Sequence, residues 1–406
     1  MFEVIEISGA ILLTWGRGMS ARIRDLRVFK MDLALREPFR ISFKTYTCAR
    51  NCFVVLETDE GIYGYGEGSP DKPITGDTQD EALLFMAAAA KKLRGKPLDI
   101  EIIHRLLSEL ERELGFGSQS GKAAIDMACY DALGKLKGKP VYKLLGAEKP
   151  EKPPTTLTIG IKPIEETVET ARRYAKEYER CGLKRIKLKL SGDPDEDLER
   201  VIRVSEVFAG ELTLDANQSY RDPEKAIAIL EKMYESIGGR LILVEQPTPK
   251  EDLEALKKVS ERSPIPVFAD ESAATLEDVV RVAEAKAASG INIKLQKIGG
   301  IYYAVKAAER AREAGLKLMV GCNEETHVAI SAAINFAAAT PGVVGVDLDS
   351  DILLFDLSIT RENPLETFMK GARLPRDSPG LGVELSDWFK ALLDGKIELE
   401  EVMRSS

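Results

Sequence analysis

From residue 155 onward, short apolar runs rich in β-branched residues alternate with longer amphipathic stretches. The runs lie at Thr155–Ile161, Arg185–Leu190, Glu211–Ala216, Leu241–Glu245, Pro266–Asp270, Ile291–Leu295, Lys317–Gly321 and Val343–Leu348. Their length and composition are those of buried strands. Between them, Ile164–Cys181, Glu224–Ser236, Leu276–Ala288 and Ile301–Ala314 read as helices, and Gly182, Gly238, Gly290 and Gly315 supply stop signals. Strict alternation predicts a parallel sheet. Eight units predict its closure into a (β/α)8 barrel over residues 151–371. An open, doubly wound sheet is the competing α/β arrangement.

The first third of the chain has another rhythm. Strand-like segments run from Ile23 to Glu67 and include Val28-Phe29 and Cys52–Glu57. Gly61–Gly68 predicts a hairpin turn rather than a nucleotide loop, because no suitable βα unit follows it. Residues 78–145 then turn helical, so a separate α+β domain is expected over 19–150, up to the Pro-rich joint Lys149–Pro154. The tail, 372–406, carries a turn at Pro379, Gly380 and Gly382 and is expected to return to that domain. Residues 1–18 read as an extension ahead of Met19.

Charge narrows the function classes. Lys and Arg number 57 against 66 Asp and Glu, for a net charge of −9, and no basic footprint for nucleic acid is present. No apolar run reaches the roughly 18 residues of a membrane span. The five cysteines are scattered and form no CxxC pair, which fits a reduced, cytoplasmic setting. The two histidines exclude His-rich metal sites. His104 reads as a helix-surface residue, and His327 is the one serious candidate for a triad, with no G-x-S-x-G elbow to accompany it. Acid–base chemistry therefore falls to Lys, Asp and Glu.

Polar residues at the C-terminal ends of barrel strands read as catalytic candidates. Alternation along the second strand puts Lys187 and Lys189 on one face and Ile186, Leu188 and Leu190 on the other. The sixth strand likewise sets Asn292, Lys294 and Gln296 opposite aliphatics. The third, fourth and fifth end in Asp215, Glu245 and Asp270. Singly, such residues are usually a solvated face or a helix N-cap. Three carboxylates at one height on consecutive strands would repel one another in a partly buried mouth, and hard oxygen ligands of this kind suit Mg²⁺. Strands two and six face one another across an eight-stranded barrel, so Lys189 and Lys294 are expected to approach a central ligand from opposite sides. Neighbouring positive charge and desolvation are expected to lower their pKa values.

In Lys187-Leu-Lys189, Asp215-Ala-Asn217, Glu245-Gln-Pro247, Asp270-Glu-Ser272 and Ile293-Lys294 the chain resembles the enolase superfamily. The subgroup is that of muconate lactonizing enzymes and dipeptide epimerases, including L-Ala-D/L-Glu epimerase. The helix at Gly121–Ala132 is similar to the segment leading from the capping domain into the barrel. The resemblance implies an N-terminal α+β capping domain completed by the C-terminal tail. It implies Asp215, Glu245 and Asp270 as Mg²⁺ ligands, Lys189 and Lys294 as the two bases, and Lys187 at the substrate carboxylate. The implied enzyme is an isomerase. It would invert the α-carbon of the C-terminal residue of a dipeptide by 1,1-proton transfer through an enediolate, with Lys189 serving the L epimer.

Asp347 and Asp349 resemble the Asp-x-Asp motif that grips a dipeptide's ammonium group, and two carboxylates at one strand end suit a primary ammonium. The remaining substrate-binding candidates are Thr158, Lys44 and Glu324. Lys44 stands where relatives acting on L-Ala-D/L-Glu place an Arg, whereas Glu324 would disfavour an acidic side chain, so the second amino acid stays open. The expected partner is a small dipeptide, with no nucleic acid or membrane, and the expected assembly is a homo-oligomer. A cycloisomerase or o-succinylbenzoate synthase of the same superfamily is the alternative, and a non-catalytic binding barrel is a further one.

Overall fold

The computed structural model describes residues 21–355 and 359–395. The expected extension at 1–18 and the end of the tail lie outside them. Three antiparallel strands open the described chain: β1 (Ile23–Arg40), β2 (Thr45–Thr58) and β3 (Tyr63–Gly68). Helices Gln79–Leu93, Ile100–Leu114 and Gln119–Lys137 follow. The turn between β2 and β3 is at Thr58–Ile62, so the Gly-rich run 63–68 is a strand and not the turn expected. Its glycines answer a close approach. A Cβ on Gly64 would lie 2.0 Å from Ala128 O, and one on Gly66 would lie 1.9 Å from Ala124 O, on the helix Gln119–Lys137. Alternate glycines let that helix sit directly on the sheet.

Eight parallel strands form the second body in sequence order. They are β4 (Thr156–Ile159), β5 (Arg185–Lys189), β6 (Glu211–Asp215), β7 (Leu241–Glu245), β8 (Val267–Ala269), β9 (Gly290–Ile293), β10 (Lys317–Gly321) and β11 (Val343–Asp347). A bridge from Thr155 to Val346 joins the last strand to the first, closing the barrel and removing the doubly wound alternative. Ile186, Leu188 and Leu190 are fully buried beneath the surrounding helices, while the opposite face turns Lys187 and Lys189 inward. Leu243, Phe268 and Met319 form a separate apolar cluster. By strand alternation they belong to the same interior face as Glu245 and fill the barrel below it.

The helix Gln119–Lys137 joins the two bodies. Asp126 accepts from Ile301 N (2.5 Å) at the start of a barrel helix and pairs with His104 Nε2 (2.6 Å). His104 is only 2% exposed and stacks on Tyr302, so it is a core residue rather than the surface residue expected. The C-terminal segment touches both bodies. Leu381 N donates to Asp131 of the same helix (2.9 Å), and the Arg373 guanidinium forks onto Asp351 beyond the last barrel strand (2.9 and 2.8 Å). Among the described residues, no helix is long and apolar enough to cross a membrane.

The glycine strand generates a stability test. Gly66→Ala drives a methyl into helix backbone and should cost about 3 kcal/mol or more, whereas Gly61→Ala, with open space around it, should cost about 1 kcal/mol for its left-handed φ alone. Urea unfolding of the two variants checks the order, and equal losses would show that the strand can move off the helix.

Candidate active site

Parallel register sets the carboxylates at one height: Asp215 pairs with Glu245 across β6 and β7, and Asp270 follows β8 directly. One oxygen from each of the three lies within 4.8 Å of the others, and all three side chains are fully buried. Each carboxylate has one oxygen held by the protein. Asn217 N donates to Asp215 Oδ1 (2.9 Å), Asn292 Nδ2 to Glu245 Oε2 (2.8 Å), and Lys297 Nζ to Asp270 Oδ1. The other oxygens of Glu245 and Asp270 accept no hydrogen bond, although Lys187 Nζ stands 2.8 Å from the first and Lys294 Nζ 3.0 Å from the second. Three hard, buried carboxylates with oxygens this close together, two of those oxygens accepting no hydrogen bond, fit a divalent cation.

Lys189 Nζ lies 2.6 Å from Asp215 Oδ2, so the two expected bases contact the first and last members of the trio. Both line the same chamber, together with Asp347 and Asp349. β5 and β9, which carry or precede these lysines, are separated by the three strands that bear the carboxylates. Burial alone would lower the Lys294 ammonium, but Asp270 outweighs it and raises the group above the usual lysine range, opposite to the direction expected from the sequence. The Asp215 carboxyl falls to about 2, because Lys189 and Lys187 override the burial that would raise it. Burial pushes Glu245 up to about 7 despite Lys187.

Lys187 is 1% exposed. Its ammonium meets Asp347 Oδ2 (2.5 Å), Glu245 Oε1 (2.8 Å) and Asp215 Oδ2 (3.1 Å). Gln296 departs from the expected strand face. The strand ends at Ile293 and a short helix, Leu295–Ile298, follows, so Gln296 accepts from Ser69 N (2.9 Å) and donates to Glu67 O (3.1 Å) in the capping domain.

At the other end of the chamber Thr158 orders the paired acids. Its hydroxyl donates to Asp347 Oδ1 (2.9 Å) and its amide to Asp349 Oδ2 (2.6 Å). Burial, and then the charge of Asp347, lifts the Asp349 carboxyl to about 7. Over the mouth hangs the β1–β2 hairpin. Asp71 pairs with the Lys44 ammonium and also accepts from Tyr46 OH (2.5 Å). Among the described residues no cation pairs with the Glu324 carboxylate, and burial, then Asp71, push it up to about 7. Tyr46, Asp71 and Glu324 line both the chamber and an outer groove of about 530 Å³. Asp77, in the segment after β3, is buried and accepts from Ser120 Oγ (2.8 Å), anchoring that segment to the capping helix.

Asp71, Tyr46 and Lys297 did not emerge from the sequence. Lys297 stands three residues after Lys294, a spacing that places both on one turn only once the strand is known to end at Ile293. His327 pairs through Nδ1 with Asp351 (2.7 Å) beside a cavity of about 370 Å³ that contains none of the lysines, so it takes no part in this site.

Residues 23–146 match the mandelate racemase/muconate lactonizing enzyme N-terminal domain, and residues 166–388 match the enolase C-terminal domain-like family. An L-Lys-D/L-Arg epimerase from Desulforapulum autotrophicum is 34% identical over 368 residues, which cover 89% of this chain and 99% of that one. An L-Ala-D/L-Glu epimerase from Clostridium acetobutylicum is 33% identical over 367 residues, covering 89% and 98%. Among solved structures, a dipeptide epimerase from Enterococcus faecalis V583, complexed with Mg and L-Leu-L-Tyr, superimposes with a TM-score of 0.81 at 31% identity, covering 90% of this chain and all of that one (100%).

The pair that flanks this site makes acid stability testable. Burial alone would raise Asp351, but Arg373 holds its carboxyl at about 2, below the unfolded value near 4. Its contribution, about 2 kcal/mol, is present above pH 4 and is lost as pH falls from about 4 towards 2. The stability gap between wild type and Asp351→Asn in urea should therefore shrink between pH 5 and pH 3, and a constant gap would refute the depressed carboxyl.

Proposed function

We infer the reaction from one premise: the chain belongs to the mandelate racemase/muconate lactonizing enzyme family of the enolase superfamily. Within it the chain is an epimerase, and so an isomerase, that uses Mg²⁺. The finer reading is inversion of the α-carbon of a dipeptide's C-terminal residue by Lys189 and Lys294. The observation that carries it is the placement of these two amines at opposite ends of one carboxylate trio, in a chamber whose far wall holds two further acids.

Asp215, Glu245 and Asp270 would hold the cation. When bound, Mg²⁺ supplies positive charge that takes up their charge and stabilises negative charge developing on the substrate carboxylate. The protein's own residues do the rest. Asp349 and Asp347 bind the substrate ammonium, and Thr158 fixes their oxygens. One lysine takes the Cα proton as a neutral amine, and the other, as an ammonium, returns a proton from the opposite face. Lys189 is assigned to the L epimer and Lys294 to the D epimer. Lys187 lies beneath the trio and balances its charge. The hairpin over the mouth, latched by Ser42 Oγ donating to Asn217 O (2.7 Å), excludes water from the chamber. The five free cysteines support a cytoplasmic setting.

The side chain of the epimerised residue points to a charge class. Lys44 is paired with Asp71, and Glu324 is an acid common to the chamber and the outer groove, which Lys30, Arg50, Lys72 and Asp80 also line. An acid there favours a cationic side chain, as the name of the Desulforapulum relative also does. The paired acids Asp347 and Asp349 disfavour the anionic substrates of a cycloisomerase or o-succinylbenzoate synthase.

Incubation of L,L-dipeptides with Mg²⁺ in D₂O, followed by mass spectrometry and chiral separation, tests this reading. Inverted product should carry one deuterium at Cα. Lys294→Ala should abolish inversion while leaving exchange from one epimer, and deuterium incorporation without inversion in wild type would remove the two-base assignment. Glu324→Gln should cost about tenfold, or 1.4 kcal/mol, in kcat/KM for dipeptides ending in Lys or Arg, and little for those ending in Leu. An equal loss on both would assign Glu324 a structural role.

A further inference from the structure

We propose that Lys297 is a positioning residue for the cation site, its buried ammonium fixing the Asp270 carboxylate so that Oδ2 faces Asp215 and Glu245. This rests on the reading that the trio holds a divalent cation. Lys297 has 0% side-chain exposure and lines no part of the chamber. Its three donor directions are all used, on Asp270 Oδ1, Asp270 O (2.6 Å) and Asn292 O (3.1 Å). Asn292 in turn donates to Glu245 Oε2 (2.8 Å). One ammonium therefore ties the end of β8 to β9 and, through Asn292, steadies a second carboxylate.

The geometry arises from a single helical turn. The chain leaves β9 at Ile293, and Leu295–Ile298 coils back under Asp270, so that Lys294 and Lys297 meet the two oxygens of one carboxylate. Gly299 (φ +91°) and Gly300 (φ +107°) end this turn. A Cβ at these positions would meet Gln119 Oε1 at 2.8 Å and Asp126 Oδ2 at 2.5 Å on the capping helix. The turn is thus moulded against the capping domain, which fixes where the Lys297 stem begins. A buried charge is costly unless paired and fully hydrogen-bonded. Here all of its bonds converge on a ligand residue and its neighbour, and a side chain without a donor would take one hydrogen bond from each of two carbonyls and release Asp270 Oδ1.

Titration calorimetry with Mg²⁺ on the full chain tests this. Lys297→Met should bind Mg²⁺ about 10- to 100-fold more weakly than wild type, with turnover restored by excess Mg²⁺, because groups that orient a metal ligand act on affinity to about this extent. Asp351→Asn removes a buried pair outside the trio and should lower the Tm while leaving Mg²⁺ affinity within about twofold. If Lys297→Met does not fold, Lys297→Gln carries the same expectation. A folded Lys297 variant with Mg²⁺ affinity within about twofold of wild type overturns the proposal. Wild type that binds no Mg²⁺ overturns instead the reading of the trio on which it rests.

Discussion

Asp215, Glu245 and Asp270 are buried within 4.8 Å of one another, and unbalanced negative charge at that spacing would oppose the fold. The surrounding barrel is arranged to counter it. Lys187, Lys189, Lys294 and Lys297 each reach one or more of the three, and every carboxylate has one oxygen fixed by a donor of the protein. The same charge balance forces the neighbouring design. Asp347 shares Lys187 with the trio, and Asp349, without a lysine of its own at hydrogen-bond distance, is pushed toward neutrality by burial and by Asp347. Catalytic geometry and electrostatic stability are here one problem.

The capping domain contributes more than a lid. Its helix Gln119–Lys137 approaches β3 closely because Gly64 and Gly66 lack side chains, and its other flank receives the turn that follows Lys294. Asp126 caps the start of the helix Ile301–Glu313, and Gln296 reaches back to Ser69 and Glu67. Lys294, proposed above as a base, is therefore held from two domains. The barrel supplies its height and the cap supplies the path of the chain beyond it.

At the mouth both domains contribute polar side chains. β11 presents Asp347 and Asp349, while the hairpin and the segment after β3 present Lys44, Tyr46 and Asp71. Asp71 pairs with Lys44 and accepts the hydroxyl of Tyr46. The resemblance in sequence had left Lys44 and Glu324 pulling in opposite directions. The pairing of Lys44 with a carboxylate from a third segment is what favours the cationic reading proposed above.

The barrel and the trio were legible because they rest on periodicity: alternation within β5 turns Lys187 and Lys189 to one face, and successive strands end in carboxylates at one height. Strand ends were less legible, and the run through Leu295 hid both the turn at Lys294 and the partnership of Lys297. The glycines at 63–68 misled for a related reason, since a strand of glycines reads as a turn until a helix is seen pressed against it. His104 was misplaced because burial depends on what packs from elsewhere. The sequence by itself determined the alternation, the order of the motifs and the kinds of ligand atom, which follow from neighbours along the chain. Only the tertiary structure decided which charges are already answered, because pairing in a low-dielectric interior depends on distances between segments far apart in the chain.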